Sequence, residues 1–485
     1  MRKIKGFFNL LLIFPRPRLH FTALQPIFDG LFLPTVRTDR EIIVESDPRS
    51  ALLHLALPMM AGNIAQNLFT LIDMYFVGRL GSLQVAAVGM AGVVTSAMMT
   101  LIIGLSAATR AIVARYIGAN DYEMAHKAAF GAIIYGLIVS AVIALFGLSL
   151  GKYVLMLLGA KGNLLVLSTR YLVVALVGAF SMVMLFVTRA IFQGAGDAKT
   201  PMFIVFGAVI LNIILDPLLI FGLGPFPRLG VVGAALATVI ARFVGFIIAL
   251  LLLAKGVRTF RLDFKKFGTT KDILVRYLSI GVPGGAQPMI NNLTAFVMMR
   301  MITSFGVFAT AAYSIGVRLN MIASLPGFAI GNAAGTLVGQ NLGAGKPDRA
   351  KKGVLIGVKL YELFAIPTAF IYIVLAPQIA SLFSKDAETI RLAIAYLSIV
   401  PLSYPVFAVG AIVMRGINGS GHTTPPFLAQ LLALFLIQIP VAYFSSKFFG
   451  AAGVFLGVFA GMFAKGVLIL PYFSSNKWLT VGKWE

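Results

Sequence analysis

The chain contains no cysteine, which excludes disulfides, thiolate metal sites and a cysteine nucleophile. Histidine is nearly as scarce: His20, His54, His126 and His422 are scattered without metal-ligand spacing, which argues against a transition-metal enzyme. Acidic residues number 17 against 40 Lys and Arg, a formal charge of +23. With so few carboxylates, each one that falls inside an apolar stretch needs a reason.

The chain is instead dominated by apolar residues: 59% of 485 positions are hydrophobic and 12% charged, with a mean hydropathy of +0.93. Soluble globular domains are not composed this way. Apolar runs of about 20 residues, the length that spans a roughly 30 Å hydrocarbon core, lie near 53–77, 87–113, 128–150, 165–188, 202–222, 231–254, 276–299, 309–337, 354–376, 392–414, 427–445 and 451–473. The expected fold is an all-α polytopic membrane protein of twelve transmembrane helices.

A large positive charge raises nucleic acid as a partner, but its distribution points to topology. With the N-terminus inside, the loops on that side carry Arg115, Lys127, Arg189, Lys199, Lys255, Arg258, Arg261, Lys265, Lys266, Lys271, Arg276, Lys346, Arg349, Lys351, Lys352 and Arg415. The opposite loops carry only Arg79, Lys152, Lys161, Arg170, Arg228, Arg300, Lys385, Arg391 and Lys447. This is the positive-inside direction with both termini cytoplasmic, and it makes membrane lipid, not nucleic acid, the expected partner of the excess charge. Residues 1–50 read as an N-terminal cytoplasmic tail. MRKIKGFFNLLLIF has the basic start and short apolar stretch of a signal peptide, but PRPR follows where a small-residue cleavage site belongs. An interfacial amphipathic segment and a start at Val44 are the other readings.

Internal repetition is the strongest organisational signal. LPMMAGNIAQNLFTLIDMYFVGRLGSLQVAA from Leu57 aligns without a gap on VPGGAQPMINNLTAFVMMRMITSFGVFATAA from Val282, pairing Pro58 with Pro283, Asn67 with Asn292 and Gly81 with Gly306. IGANDYEMAHKA at 117–128 falls on LGAGKPDRAKKG at 342–353, and QGAGDAKTP at 193–201 on NGSGHTTPP at 418–426. Six helices are therefore repeated as two parallel copies, 51–255 and 273–475, joined by the basic linker 256–272 and followed by a C-terminal tail at 476–485. Two parallel bundles facing a central cavity suit a transporter that rocks between two openings, although channels and membrane enzymes also use duplicated bundles.

These motifs, in this order, carry a resemblance. The loop GAGDAKTP, the turn IGANDYEMA with its partner LGAGKPDRA, and ILDPLLIFGLG followed by GVVGAALAT are similar to those of the multidrug and toxic compound extrusion (MATE) family over about residues 50–475. The resemblance implies an antiporter of a prokaryotic plasma membrane, monomeric, with no cofactor and no enzymatic activity.

Only three acids fall inside the spans: Asp73, Asp216 and Glu362. A charge at the bilayer centre costs roughly 2.5 to 3.5 kcal/mol on insertion scales, so each is a functional candidate. Asn63, Gln66, Thr70 and Asp73 fall within about 80° of one another around a helix, a stripe expected to face a cavity. Asn212 and Asp216 share a helix face, and Pro217 after them leaves a backbone carbonyl without its donor. In the second copy Asp73 is replaced by Met298 and Asp216 by Val441, so the acid pair belongs to one bundle. Two neighbouring carboxyls in apolar surroundings share a proton readily; carboxylate and amide oxygens also suit Na⁺. Hydrogen bonding within the bundle is the purely structural alternative.

The family resemblance implies that Asp73, Asn212 and Asp216 form a cation site, with Tyr171 and Thr238 as polar neighbours, and that Pro58 lets its helix bend. Gln66, Phe69, Thr70, Met298, Met299, Asn291, Asn292 and Gln287 are expected, with Asn63, to line a soft apolar and amide surface for drugs. The nearby acids favour amphipathic, often cationic cargo. Glu362 is expected to pair with Lys359 or snorkel, and Arg242, Arg318 and Lys465 to be near-interface or inter-helix charges. A flippase for lipid-linked oligosaccharide is the alternative function, set aside because no strongly cationic cavity is evident; an integral membrane enzyme is the weaker one, since the spans hold no catalytic constellation.

Overall fold

A backbone in hydrocarbon must satisfy its own N–H and C=O groups, so the long apolar runs become helices. The computed structural model describes residues 38–256 and 260–480. His20 and the tail through residue 37, Arg258 of the linker, and 481–485 lie outside the described residues.

A short helix α1 (Asp39–Glu45) precedes the first copy: α2 (Pro48–Gly78), α3 (Ser82–Gly118), α4 (Tyr122–Ser149), α5 (Gly151–Leu157), α6 (Gly162–Val177), α7 (Ala179–Ala195), α8 (Lys199–Phe221) and α9 (Val231–Lys255). The second copy is α10 (Lys271–Thr303), α11 (Val307–Gly343), α12 (Pro347–Val374), α13 (Ala376–Phe383), α14 (Ala387–Ile399), α15 (Tyr404–Gly419), α16 (Thr424–Leu431), α17 (Ile439–Phe449) and α18 (Ala451–Leu468), closed by α19 (Leu470–Ser474). A π-helical segment, Leu432–Gln438, joins α16 to α17. Starts are set by caps: Asp47 accepts from Arg49 N at 3.0 Å with Pro48 in the first turn, and Asp121 accepts from Met124 N at 3.1 Å, as N-cap carboxylates do.

Among the described residues, ten helices are long and apolar enough to cross a membrane, and α6 with α7, bent by 42°, make an eleventh. The twelfth span is α10, whose 33 residues suffice for a crossing at 1.5 Å per residue; Gln287, Asn291 and Asn292 lower its apolarity. The protein is thus all-α, with twelve spans as two parallel six-helix repeats. The helix starts Ser82 and Val307, Tyr122 and Pro347, and Lys199 and Thr424 all keep the offset of 225.

The bundles meet across α3 and α11, in contacts that mirror one another. A Cβ on Gly118 would lie 2.0 Å from Gln340 O, and one on Gly343 2.0 Å from Arg115 O; these are the same two positions in each copy, so the contact is reciprocal about a pseudo-two-fold axis. Gly104 approaches Gly281 and Gly285 of α10 as closely, and Gln340 Nε2 donates to Gly194 O at 2.9 Å. The contacts of Gly118, Gly343 and Gln340 lie at the helix ends nearest the 256–270 linker, and that of Gly104 lies nearer mid-helix. Towards the other end, α10 is buried only along Ile290, Thr294, Met298 and Ile302, while Asn291, Asn292, Phe296 and Met299 are exposed. A span buried along one stripe borders lipid or open space on its other sides, which leaves room there for a cleft between the bundles.

The tail expected through residue 50 does not extend that far. In α1, Ile43 is fully buried in the core. Arg40 donates to Ile117 O and Gly118 O of α3 at 3.1 and 2.9 Å, and Ile43 O accepts from Asn341 and Arg349. Residues 39–45 therefore tie the linker-side ends of both bundles.

Candidate functional site

Helices α2, α8 and α9 bring together one polar cluster inside the first bundle. The buried face of α8 carries Asn212 and Asp216, both fully buried, and Asn212 Nδ2 donates to Asp216 Oδ1 at 3.1 Å. From α9, Thr238 Oγ1 donates to Asp73 Oδ2 of α2 at 3.0 Å. The two carboxyl groups adjoin closely enough to interact directly, and Asp73 also faces Asn212. Tyr171 of α6 lies within reach of both charges. Asp73 Oδ1, Asn212 Oδ1 and Asp216 Oδ2 are buried without a hydrogen-bond partner. Buried polar oxygens without partners are costly, and three converging acceptors fit a proton or a hard cation. Among the described residues no group of three or more His, Cys, Asp or Glu is arranged to hold a metal ion.

Arg242, expected as a near-interface or inter-helix charge, belongs to this cluster. Its charge acts on Asp73, its guanidinium sits 5.0 Å above the Phe69 ring, and it lies four residues after Thr238 on the same face of α9. That spacing was the available signal.

Several expected cavity residues lie elsewhere. Phe69 is 2% exposed and packs with Val205, Val209 and Ala241 in the first bundle; adjacent to Thr70, it falls about 100° round the helix from it. Met298 is fully buried in the core of the second bundle, because the position equivalent to Asp73 points into its own bundle in both copies. The stripe on α2 is divided likewise: Asn63 Oδ1 accepts from Arg189 Nη2 at 2.7 Å, Asp73 turns inward, and Gln66 and Thr70 are partly open. On α10, Gln287 and Asn418 form a reciprocal amide pair at 3.3 and 3.2 Å, Asn291 accepts from Lys465 at 2.9 Å, and Asn292 and Met299 are exposed. Pro58 is buried within a continuous α2. Glu362 makes no ion pair with Lys359 among the described residues, and its Oε2 is buried without a partner.

The larger correction concerns charge. Arg189 and Arg415 are not loop residues; they sit within α7 and α15, half-buried with Arg110 of α3. Arg110 and Arg415 both donate to Asn332 Oδ1 of α11, at 3.3 and 3.1 Å. A cationic group therefore does lie between the bundles.

A family model, MatE, matches residues 58–218 and 284–444. The FAD transporter of Shewanella oneidensis is 30% identical over 87% of this chain and 93% of its own length. The probable multidrug resistance protein NorM of Thermotoga maritima is 28% identical over 89% and 93%. Among solved structures, a MATE protein in its bent conformation superposes with a TM-score of 0.85 at 26% identity, covering 91% of this chain and 99% of that one. A MOP superfamily transporter from Pyrococcus furiosus, described as having a binding pocket of reverse polarity, gives 0.84 at 26% identity, covering 91% and 98%.

Proposed function

We propose a function from one premise: the chain belongs to the MatE family of transporters. It is not an enzyme. Relatives named as multidrug resistance and export proteins support small organic molecules as its cargo, and the reading is a secondary active efflux antiporter working by alternating access. The observation that carries the coupling is the meeting of Asp73 Oδ1, Asn212 Oδ1 and Asp216 Oδ2, three buried acceptors without donors. An incoming ion satisfies them, and its departure leaves two adjacent carboxylates in an apolar bundle, a state that favours repacking of α2 against α8 and α9. Pro58 is the natural place for α2 to bend. The proton is the preferred ion, because paired carboxyls share one readily; Na⁺ would use the same oxygens.

Cargo would enter the cleft lined by Gln66, Thr70, Gln287, Asn291, Asn292 and Met299. The 256–270 linker is assigned to the cytoplasm from the loop charges, which makes the parted side external, in the plasma membrane of a prokaryote, with the protein a monomer. The arginines between the bundles favour a second reading, a flippase for lipid-linked oligosaccharide. Drug accumulation in cells with and without the protein tests the first reading: lower accumulation supports efflux, and unchanged accumulation across a broad drug panel counts against it.

A further inference from the structure

Two guanidinium groups meet where the two bundles close together, a third lies near enough for its charge to act on one of them, and among the described residues no carboxylate pairs with any of the three. Arg110 and Arg415, one from each bundle, share the single neutral oxygen Asn332 Oδ1, and Arg189 donates only to Asn63. The charged groups acting on Arg110 are Arg415 and Arg189, both of the same sign; none acting on Arg189 or Arg415 is an acid. Of the span acids, Asp73 and Asp216 adjoin each other inside the first bundle, and Glu362 is not among the charges acting on Arg415.

A guanidinium carries five N–H donors, and each of these three spends one on the protein. All three side chains are only partly buried, which leaves their unspent donors accessible. The fold makes room for the arrangement. A Cβ on Gly331 would lie 2.1 Å from Arg415 Cδ, and one on Gly62 3.7 Å from Arg189 Nη2. Arg415 also stacks over the Phe328 ring at 4.6 Å, but three cations with no counter-charge in a membrane interior are costly.

We propose that Arg110, Arg189 and Arg415 bind the phosphate of an anionic cargo at the base of the cleft, bridging the two bundles. Three positive charges ask for an anion of two or more charges, which a phosphomonoester or diphosphate supplies and a monocarboxylate does not. Planar guanidinium forks match phosphate oxygens two at a time. The chemistry is common to a soluble phosphate ester and to a lipid-linked phosphate. The inference rests on the reading that the cleft carries cargo, and it adds phosphate-bearing anions to the organic molecules proposed there.

The test is equilibrium binding of radiolabelled inorganic pyrophosphate to the detergent-purified full chain. Saturable binding is expected, weakening as salt rises, and falling roughly tenfold or more in Arg110→Gln and in Arg415→Gln, with Arg415→Lys intermediate. Size-exclusion profiles verify that the variants are folded; removing one of three mutually repelling charges should not unfold them, and Arg189→Gln gives an independent third variant. Competition by ADP assigns a soluble source, and competition by short-chain phosphatidate without ADP assigns a lipid source. Absence of saturable binding, or binding undiminished in folded Gln variants, overturns the proposal. The coupling reading stands or falls separately, on gradient-driven transport by Asp73 and Asp216 variants.

Discussion

In the proposed mechanism coupling depends on Asp73 and Asp216, because each leaves one carboxylate oxygen buried without a donor. Substituting Asn removes a titratable charge at almost constant size. Asp73→Asn and Asp216→Asn are therefore each expected to reduce drug efflux to the level of cells lacking the protein, while membrane insertion and thermal stability stay at or above the parent's. Resistance assays alongside detergent melting curves check this; near-normal resistance from either variant contradicts the assignment. Met298→Asp is expected not to rescue, since Met298 lies in the core of the other bundle. The acid cluster was legible in the sequence because carboxylates are rare there and an i, i+4 pair on an apolar helix is conspicuous. Arg110 went unseen for the opposite reason: it lies inside the apolar run 87–113, among so many basic residues that only acids stood out. Arg189 and Arg415 lie close to helix ends, and sequence does not tell a charge at the membrane surface from one directed between helices.

At the scale of elements, all twelve spans were legible from run length, and the repeat from its constant offset. The polar amides that make α10 the least apolar span did not hide it, because its partner in the first copy is clearly helical. Helix α1 was not legible. It is seven residues long, below the length at which hydrophobic periodicity is informative, and its stability comes from tertiary contacts. Because Arg40 holds the end of α3 while Ile43 O is held from α11 and α12, α1 joins the two bundles at the linker side. Deleting residues 1–46 is expected to leave insertion intact but lower the melting temperature by several degrees, as losing a few buried contacts worth about 1–3 kcal/mol does. An unchanged melting curve shows that α1 contributes nothing to this closure.

For the whole molecule, the proposed alternating access makes the reciprocal α3–α11 contact one of two end states, and transport would then require the linker-side closure to open. The absence of cysteine makes this directly testable. A Cβ on Gly281 lies 3.7 Å from Ala108 Cβ, within the range a disulfide bridges. The pair Ala108→Cys with Gly281→Cys is expected to crosslink under oxidation and stop transport, with recovery on reduction; crosslinked protein that still transports denies the rocking motion. The central claim is that a proton taken up at Asp73 and Asp216 drives that motion. The most direct measurement is substrate exchange by purified protein in liposomes under an imposed pH gradient without sodium. Exchange that begins with the gradient, stops when the gradient is collapsed and disappears in Asp216→Asn is the predicted result. Exchange driven by sodium at fixed pH, with the proton gradient without effect, contradicts it.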